Sequence, residues 1–213
     1  MIIVNFKTYS AATGEKSRKL GEICRKARNE TGEEIIVSPA AEDLLRLDHV
    51  DIPVYSQHID PIEPGSHTGH TLVENVKASG ATGTILNHSE RRISDEKIRK
   101  SIEKAREKDI TTVVCAQTPG ECEKLSKFNP DYIAYEPPEL IGGDTSVSEA
   151  QPELIQKAVR ASGDVPTLTG AGIKSTEDVE KSIELGCEGV LVASGVIKSE
   201  DPYEELINLS KGL

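Results

Sequence analysis

The sequence has few aromatic side chains, with no tryptophan, two phenylalanines and five tyrosines. A core must therefore be built mainly from Val, Ile, Leu and Ala, the residues that fill strands buried on both faces of a parallel sheet. No apolar run approaches the roughly 18 residues needed to span a bilayer, and no signal peptide is evident. The four cysteines include no CxxC pair, which argues against a disulfide framework. We expect a cytoplasmic protein with reduced thiols.

Positive charge is also in short supply, because 25 Lys and Arg face 36 Asp and Glu, a formal net charge of −11. A general nucleic-acid binder needs a basic face for the phosphate backbone. An anionic small molecule needs only one local positive pocket, whatever the charge of the whole molecule. The composition thus argues against nucleic acid as a partner and leaves anionic metabolites open.

Short aliphatic runs alternate with amphipathic charged segments along the whole chain. We predict strands over 2–6, 34–38, 54–57, 84–87, 111–115, 132–136, 166–170 and 189–193, and helices over 15–30, 41–46, 72–78, 95–108, 119–127, 149–161, 176–185 and 202–210. Such alternation implies parallel strands joined by right-handed helical crossovers. Eight pairs without a linker favour a single α/β domain over 1–213, a (β/α)8 barrel, with an open doubly wound sheet as the alternative.

At 213 residues the chain is short for such a barrel, which typically has about 250. One or two helices must then be reduced. The second and third predicted helices have the weakest patterns.

Polar residues stand where several predicted strands end, and in a barrel these ends form the rim that carries the chemistry. Asn5 and Lys7 follow the first strand, His88 and Glu90 the fourth, and Glu136 ends the sixth. Each alone has an ordinary explanation: a solvated lysine, a hydrogen-bonded histidine, a loop carboxylate. Together they supply a cation, a proton carrier and a base, the groups needed to move a proton beside a carbonyl.

Two loops rich in small residues, "GAGI" (170–173) and "ASGV" (193–196), follow the seventh and eighth strands. The corresponding loops form a recurrent phosphate site in barrels. The segment "PPELIGGDTSVS" (137–148) has a stiff start, an apolar pair and two glycines, which fits a hinged lid that excludes water. A long surface loop with a helix cap at Ser146 or Ser148 is the alternative.

These motifs, in this order, make the chain similar to the triosephosphate isomerase family, in its short archaeal form: Asn5-x-Lys7, "NHSERR" around His88, "YEPPELIG" around Glu136, and the two glycine loops. The resemblance covers essentially the whole chain. It implies the interconversion of dihydroxyacetone phosphate and D-glyceraldehyde 3-phosphate through an enediolate, in glycolysis and gluconeogenesis, with neither cofactor nor metal.

The resemblance also implies roles for individual residues. Glu136 would be the base, neutral His88 would polarise the carbonyl and relay protons, Lys7 would stabilise negative charge and attract the substrate, and Asn5 would assist. Glu90 would support Lys7. The phosphate would be bound by Asn5, Lys7 and the backbone amides of Gly142, Gly172, Ser194 and Gly195, with Thr145 or Ser146 closing over it.

The loop "EPGSHTGHT" (63–71) matches the long third loop that, in this family, inserts into a partner subunit. The resemblance therefore implies a homodimer or homotetramer, with Thr68 and Gly69 inserted. His67 and His70 lack a third ligand and make a weak zinc signal, so we expect no metal.

Two other functions are compatible with such a barrel. An aldolase would use a barrel-facing lysine as a Schiff base, and 111–135 and 166–170 place none there. A non-catalytic relative would tolerate loss of the base, yet Glu136, His88 and Lys7 are all present.

Overall fold

The computed structural model describes residues 1–137 and 152–213, and these residues form one eight-stranded parallel sheet. The strands are β1 (Ile2–Asn5), β2 (Ile35–Ser38), β3 (Tyr55–Ser56), β4 (Gly83–Leu86), β5 (Thr111–Ala116), β6 (Tyr132–Tyr135), β7 (Thr167–Thr169) and β8 (Gly189–Val192). Their order is β2-β1-β8-β7-β6-β5-β4-β3. A parallel bridge between Val37 and Val54 then joins the two ends. The sheet closes into the predicted (β/α)8 barrel.

The helices are α1 (Glu15–Thr31), α2 (Val73–Ala78), α3 (Asp95–Glu107), α4 (Pro119–Ser126), α5 (Pro152–Ser162), α6 (Thr176–Glu184), α7 (Ser194–Ile197) and α8 (Pro202–Ser210). Short 3-10 helices span Ser10–Ala12 and Ala41–Leu47. The prediction that the second and third helices are reduced is confirmed, because the former is the 3-10 helix 41–47 and the latter is the six-residue α2. No helix within the two described ranges is long and apolar enough to cross a membrane.

Side chains alternate along each strand and form two separate buried clusters. The inner cluster fills the barrel with branched aliphatic and small residues: Ile3, Ile36, Tyr55, Ile85, Val113, Cys115, Ala134, Leu168 and Leu191. The intervening residues, such as Val4, Val114 and Val190, face outward in the cluster that includes the helices. This two-residue period follows from strand geometry. It also sends Glu136, two residues after Ala134, toward the barrel mouth.

Helix starts are fixed by side chains that satisfy otherwise unpaired amides. Ser94 caps α3, with its hydroxyl accepting from the Lys97 amide. Ser175 and Asp178 form a reciprocal capping box at α6. Because α3 begins only at Asp95, residues 87–94 are free to shape the rim.

Candidate active site

Glu136 leaves β6 at the mouth of the barrel and is only 2% exposed. Its amide donates to the Ala116 carbonyl at 2.8 Å, which extends the pairing with β5 by one residue. Its Oε1 lies 3.3 Å from His88 Nε2, while Oε2 is buried and has no hydrogen-bond partner in the described structure. A buried carboxylate oxygen without a donor is costly to desolvate.

His88 presents Nε2 to the cavity because its other ring nitrogen, Nδ1, already accepts a hydrogen bond. The amide of Glu90 donates to His88 Nδ1 at 3.2 Å, so Nδ1 is occupied as an acceptor and Nε2 is the ring nitrogen that faces the cavity. The ring is thereby oriented to donate from Nε2 toward Glu136 or toward a substrate oxygen. Its side chain is 11% exposed.

Asn87 makes the turn that brings His88 to the rim. It has φ +59, an uncommon conformation for a residue other than glycine. Its side chain holds this turn from both sides, since Nδ2 donates to the Cys115 carbonyl at 2.9 Å and Oδ1 accepts from the Ile93 amide at 3.1 Å. These two bonds explain how the chain can turn at the end of β4, in the segment "TILNHSERR" (84–92), without a glycine.

Lys7 also has a left-handed backbone, with φ +47. Its amide donates to Asn5 Oδ1 at 3.0 Å, and its carbonyl accepts from Gln57 Nε2 at 3.0 Å. Its ammonium donates to Glu90 Oε1 at 2.8 Å. The strained backbone is thus held at both peptide groups, and the cation is directed to the side of the cavity that carries His88.

Gly170 provides room for the Glu136 carboxylate. A Cβ at this position would lie 2.5 Å from Glu136 Cγ and 3.2 Å from its Oε1, well inside van der Waals contact. The glycine is required here by side-chain packing. The "GAGI" loop therefore serves the base as well as the predicted phosphate site.

Cys115 lies in the barrel interior below Glu136 and is 1% exposed. Burial raises the pKa of its thiol well above the usual range, and the negative charge of Glu136 raises that pKa further. The thiol stays protonated at neutral pH, so it is not a nucleophile here.

One cavity of about 660 Å³ brings the predicted site residues together. We call Asn5, Lys7, His88 and Glu136 the carboxylate cluster, and 170–173 with 193–195 the glycine loops. Both groups line the cavity, together with Glu90, Tyr9, Lys174, Lys198 and Glu205. Gly142, Thr145 and Ser146 lie outside the described ranges, as does the rest of the predicted lid after Pro137.

Sequence reasoning missed several residues that the structure places at the site. Gln57, just after β3, donates to the Lys7 carbonyl at 3.0 Å, a long-range bond that no local sequence pattern indicates. Tyr9 and Lys198 were not singled out, and only their positions shortly after β1 and β8 could have indicated them. His58, also at a strand end, is buried and paired with Asp60 at 3.1 Å, and it does not line the cavity.

The rings of the two histidines of loop 63–71 contact each other. The rings of His67 and His70 have centroids 5.8 Å apart in an edge-on arrangement. Within 1–137 and 152–213, no group of three or more His, Cys, Asp or Glu side chains is placed to hold a metal ion.

Known proteins are similar in sequence to this chain over nearly their whole length. The family model described as triosephosphate isomerase matches residues 1–210. The triosephosphate isomerase of Methanothermus fervidus is 45% identical over 214 residues, covering 98% of this chain and 96% of the relative. That of Methanocaldococcus jannaschii is 43% identical over 216 residues, covering 99% of each. The chain belongs to the triosephosphate isomerase family.

Proposed function

We propose that the carboxylate cluster interconverts dihydroxyacetone phosphate and D-glyceraldehyde 3-phosphate by proton transfer through an enediolate, the reaction of the family. The observation that carries this assignment is the pairing of a buried Glu136 carboxylate with His88 Nε2 at 3.3 Å in the cavity that also contains the glycine loops. Proton transfer of this kind needs only an acid, a base and charge stabilisation. We therefore propose that the reaction uses neither a cofactor nor a metal.

In this mechanism Glu136 removes the proton from the carbon beside the carbonyl. The buried Oε2, which has no hydrogen-bond partner in the described structure, supports this role because its lone pairs are free to contact a substrate C–H. Glu136 returns the proton to the neighbouring carbon, and His88 moves a proton from one substrate oxygen to the other, which completes the isomerisation. Gly170 keeps the carboxylate in place by leaving room for it.

Negative charge that develops on the substrate oxygens is stabilised by three neighbours. His88 donates from Nε2, a role supported by the amide of Glu90 on Nδ1. Lys7 supplies the cation, held in position by Glu90, and Asn5 assists from the end of β1. Preorganised donors of this kind commonly contribute about 10²–10³ each to the rate.

The phosphate is bound by backbone amides of the glycine loops, with Gly172, Ser194 and Gly195 as donors and Lys7 and Asn5 on the adjoining wall. Gly172 has φ +70, which lets its backbone turn toward an anion at no steric cost. Gly142 is proposed from the resemblance alone.

The first experiment tests the reaction and the base together. We expect purified wild type to convert D-glyceraldehyde 3-phosphate in a coupled assay, and Glu136→Gln to lose turnover by about 10³ or more, because the amide cannot accept the proton. The matched control is Glu42→Gln, an exposed position outside the cavity, which should retain wild-type kinetics. Thermal unfolding of each variant checks the fold.

An inactive, folded wild type would overturn the proposed reaction. Turnover by Glu136→Gln above a tenth of wild type would leave the reaction standing and remove Glu136 as its base.

We also infer a single-domain homo-oligomer in the cytoplasm, in which loop 63–71 docks on a partner copy. Residues 63–70 are exposed in succession. The loop is closed at its base, where the Asp60 amide donates to the Thr71 carbonyl and the Thr71 amide donates to Asp60 Oδ2, both at 2.8 Å. A projecting loop with a fixed base suits insertion into a groove of a second copy.

Thr68→Glu tests this arrangement. A carboxylate placed in a closed interface is strongly unfavourable, so we expect sedimentation velocity to show monomers at concentrations where wild type is a dimer or tetramer. Lys104→Met, which removes the ion pair to Glu63 outside the loop tip, should leave the assembly intact. A monomeric wild type, or an unchanged Thr68→Glu assembly, would contradict the proposal.

A further inference from the structure

The cavity contains charged groups that the proposed mechanism does not use. Besides the carboxylate cluster and Glu90, it is lined by Lys174, Lys198 and Glu205. A substrate that carries a phosphate dianion approaches a chain with a formal net charge of −11. Because the overall charge opposes this approach, the cations of the cavity determine how tightly the anion is held.

Lys198 differs from Lys7 in its surroundings. The ammonium of Lys7 is bound to Glu90 at 2.8 Å, whereas the ammonium of Lys198 has no carboxylate within ion-pair distance among the described residues. It lies instead 5.2 Å from the centre of the Tyr9 ring, within the range of a cation–π contact. The aromatic face holds the cation at the cavity wall without neutralising its charge.

The backbone places Lys198 one turn after the second glycine loop. Its amide donates to the Ser194 carbonyl at 3.0 Å, so one helical turn of about 5.4 Å separates it from the proposed amide donors. A lysine stem of four methylenes can span that distance while its aliphatic part packs against a ring. An anion on the amides of Ser194 and Gly195 is therefore within reach of the ammonium.

We propose that Lys198, positioned by Tyr9, is a second cation that binds the phosphate group of the substrate. Lys198 binds the substrate but takes no part in the proton transfers, because Lys7 is the cation beside His88 and Glu136. This inference rests on the proposed location of the phosphate at the glycine loops. It adds a second cationic side chain to a phosphate site made of backbone amides, with Lys7 and Asn5 on the adjoining wall.

Inorganic phosphate tests the proposal without turnover. In a calorimetric titration of the intact protein, we expect Lys198→Met to weaken phosphate binding about tenfold, which corresponds to about 1.4 kcal/mol. Lys198→Arg, which keeps the charge, should restore most of the affinity. Lys16→Met removes an exposed lysine of α1 that does not line the cavity, and should bind phosphate as wild type does.

Kinetics then separate binding from chemistry. The KM of Lys198→Met for D-glyceraldehyde 3-phosphate should rise by a similar factor while kcat falls less than about threefold, the pattern of an interaction equally strong in ground and transition states. Tyr9→Leu should show a smaller rise in KM.

Unchanged phosphate affinity in Lys198→Met, or equal weakening in Lys16→Met, would overturn the proposal. A loss confined to kcat would also overturn it. An inactive wild type that still binds phosphate through Lys198 would instead contradict the proposed reaction and leave this inference intact.

Discussion

Glu136 and Asn5 are 2% and 4% exposed, whereas the glycine loops of the same cavity reach solvent at Gly172, Ser194 and Gly195. The carboxylate cluster is built from side chains, and each has a named partner within the barrel. The glycine loops offer mainly backbone groups, and their geometry depends on φ and ψ. Chemistry at one group and anion binding at the other therefore respond to different kinds of substitution.

The difference follows from what each group must do. A base and an acid need a fixed distance between particular atoms, because misplacement by about 1 Å can cost 10² in rate. A phosphate dianion accepts hydrogen bonds from many directions, so several amides can share it. Substitutions that move Glu136 should act on kcat, and substitutions that alter the loop backbone should act on KM.

Among substitutions that leave the carboxylate cluster itself unchanged, the largest effect is expected from Gly170→Ala, which tests whether the cluster depends on its packing. The new Cβ would lie 2.5 Å from Glu136 Cγ, so the carboxylate must shift, and we expect kcat to fall about 10² with little change in KM. Gly120→Ala is the control, because a Cβ there meets nothing closer than 4.0 Å. Steady-state kinetics that place kcat of Gly170→Ala within threefold of wild type would show that Glu136 tolerates displacement.

The barrel itself was predictable because periodicity and helix caps are local signals. The predicted helix 202–210 agrees with α8, since Asp201 caps it and Pro202 occupies its first turn. The predicted helix 41–46 is a 3-10 helix. Within it, Asp43 is buried and accepts from the Gly14 amide at 2.8 Å. That partner is distant in sequence, so no local pattern reveals it.

The same difference between local signals and contacts distant in sequence applies to the active site. Glu136, His88 and Lys7 could be predicted as candidates because their residue types and strand-end positions carry the chemistry. The positive φ of Lys7 and of Asn87 could not, because these backbones are held by side chains from other strands and loops, such as Gln57. The requirement for glycine at position 170 could not be predicted either, because it arises from packing against the Glu136 side chain, which follows a different strand.

An intermediate effect is expected from Gly172→Ala, which tests the backbone character of the glycine loops. With φ +70 at this residue, a side chain is strained by about 1 kcal/mol or more, so the loop should relax away from the phosphate. We expect KM to rise about tenfold and kcat to change much less.

Ser194→Ala provides the complementary measurement, because it removes a hydroxyl and leaves the amide in place. If amides bind the phosphate, its KM should stay within about twofold of wild type. A KM for Ser194→Ala as high as that of Gly172→Ala would make the hydroxyl a ligand and weaken the contrast between the two groups.

The smallest effect concerns Glu205, a half-buried carboxylate in the wall of the cavity. Burial raises its pKa from the ordinary value of 4.5. The folded protein therefore holds this proton to higher pH than the unfolded chain does, and the free energy of unfolding decreases as pH rises through that window. Below the unfolded value both states are protonated, and Glu205 makes no pH-dependent contribution.

Glu205→Gln should consequently raise Tm at pH 7, by no more than about 2 °C, and the gain should disappear near pH 4. Glu204→Gln, an exposed neighbour on the same helix, controls for the loss of one negative charge. Thermal unfolding at both pH values distinguishes the causes. Equal gains in the two variants would assign the effect to net charge, whereas a gain specific to Glu205 and absent at low pH would assign it to desolvation in the cavity wall.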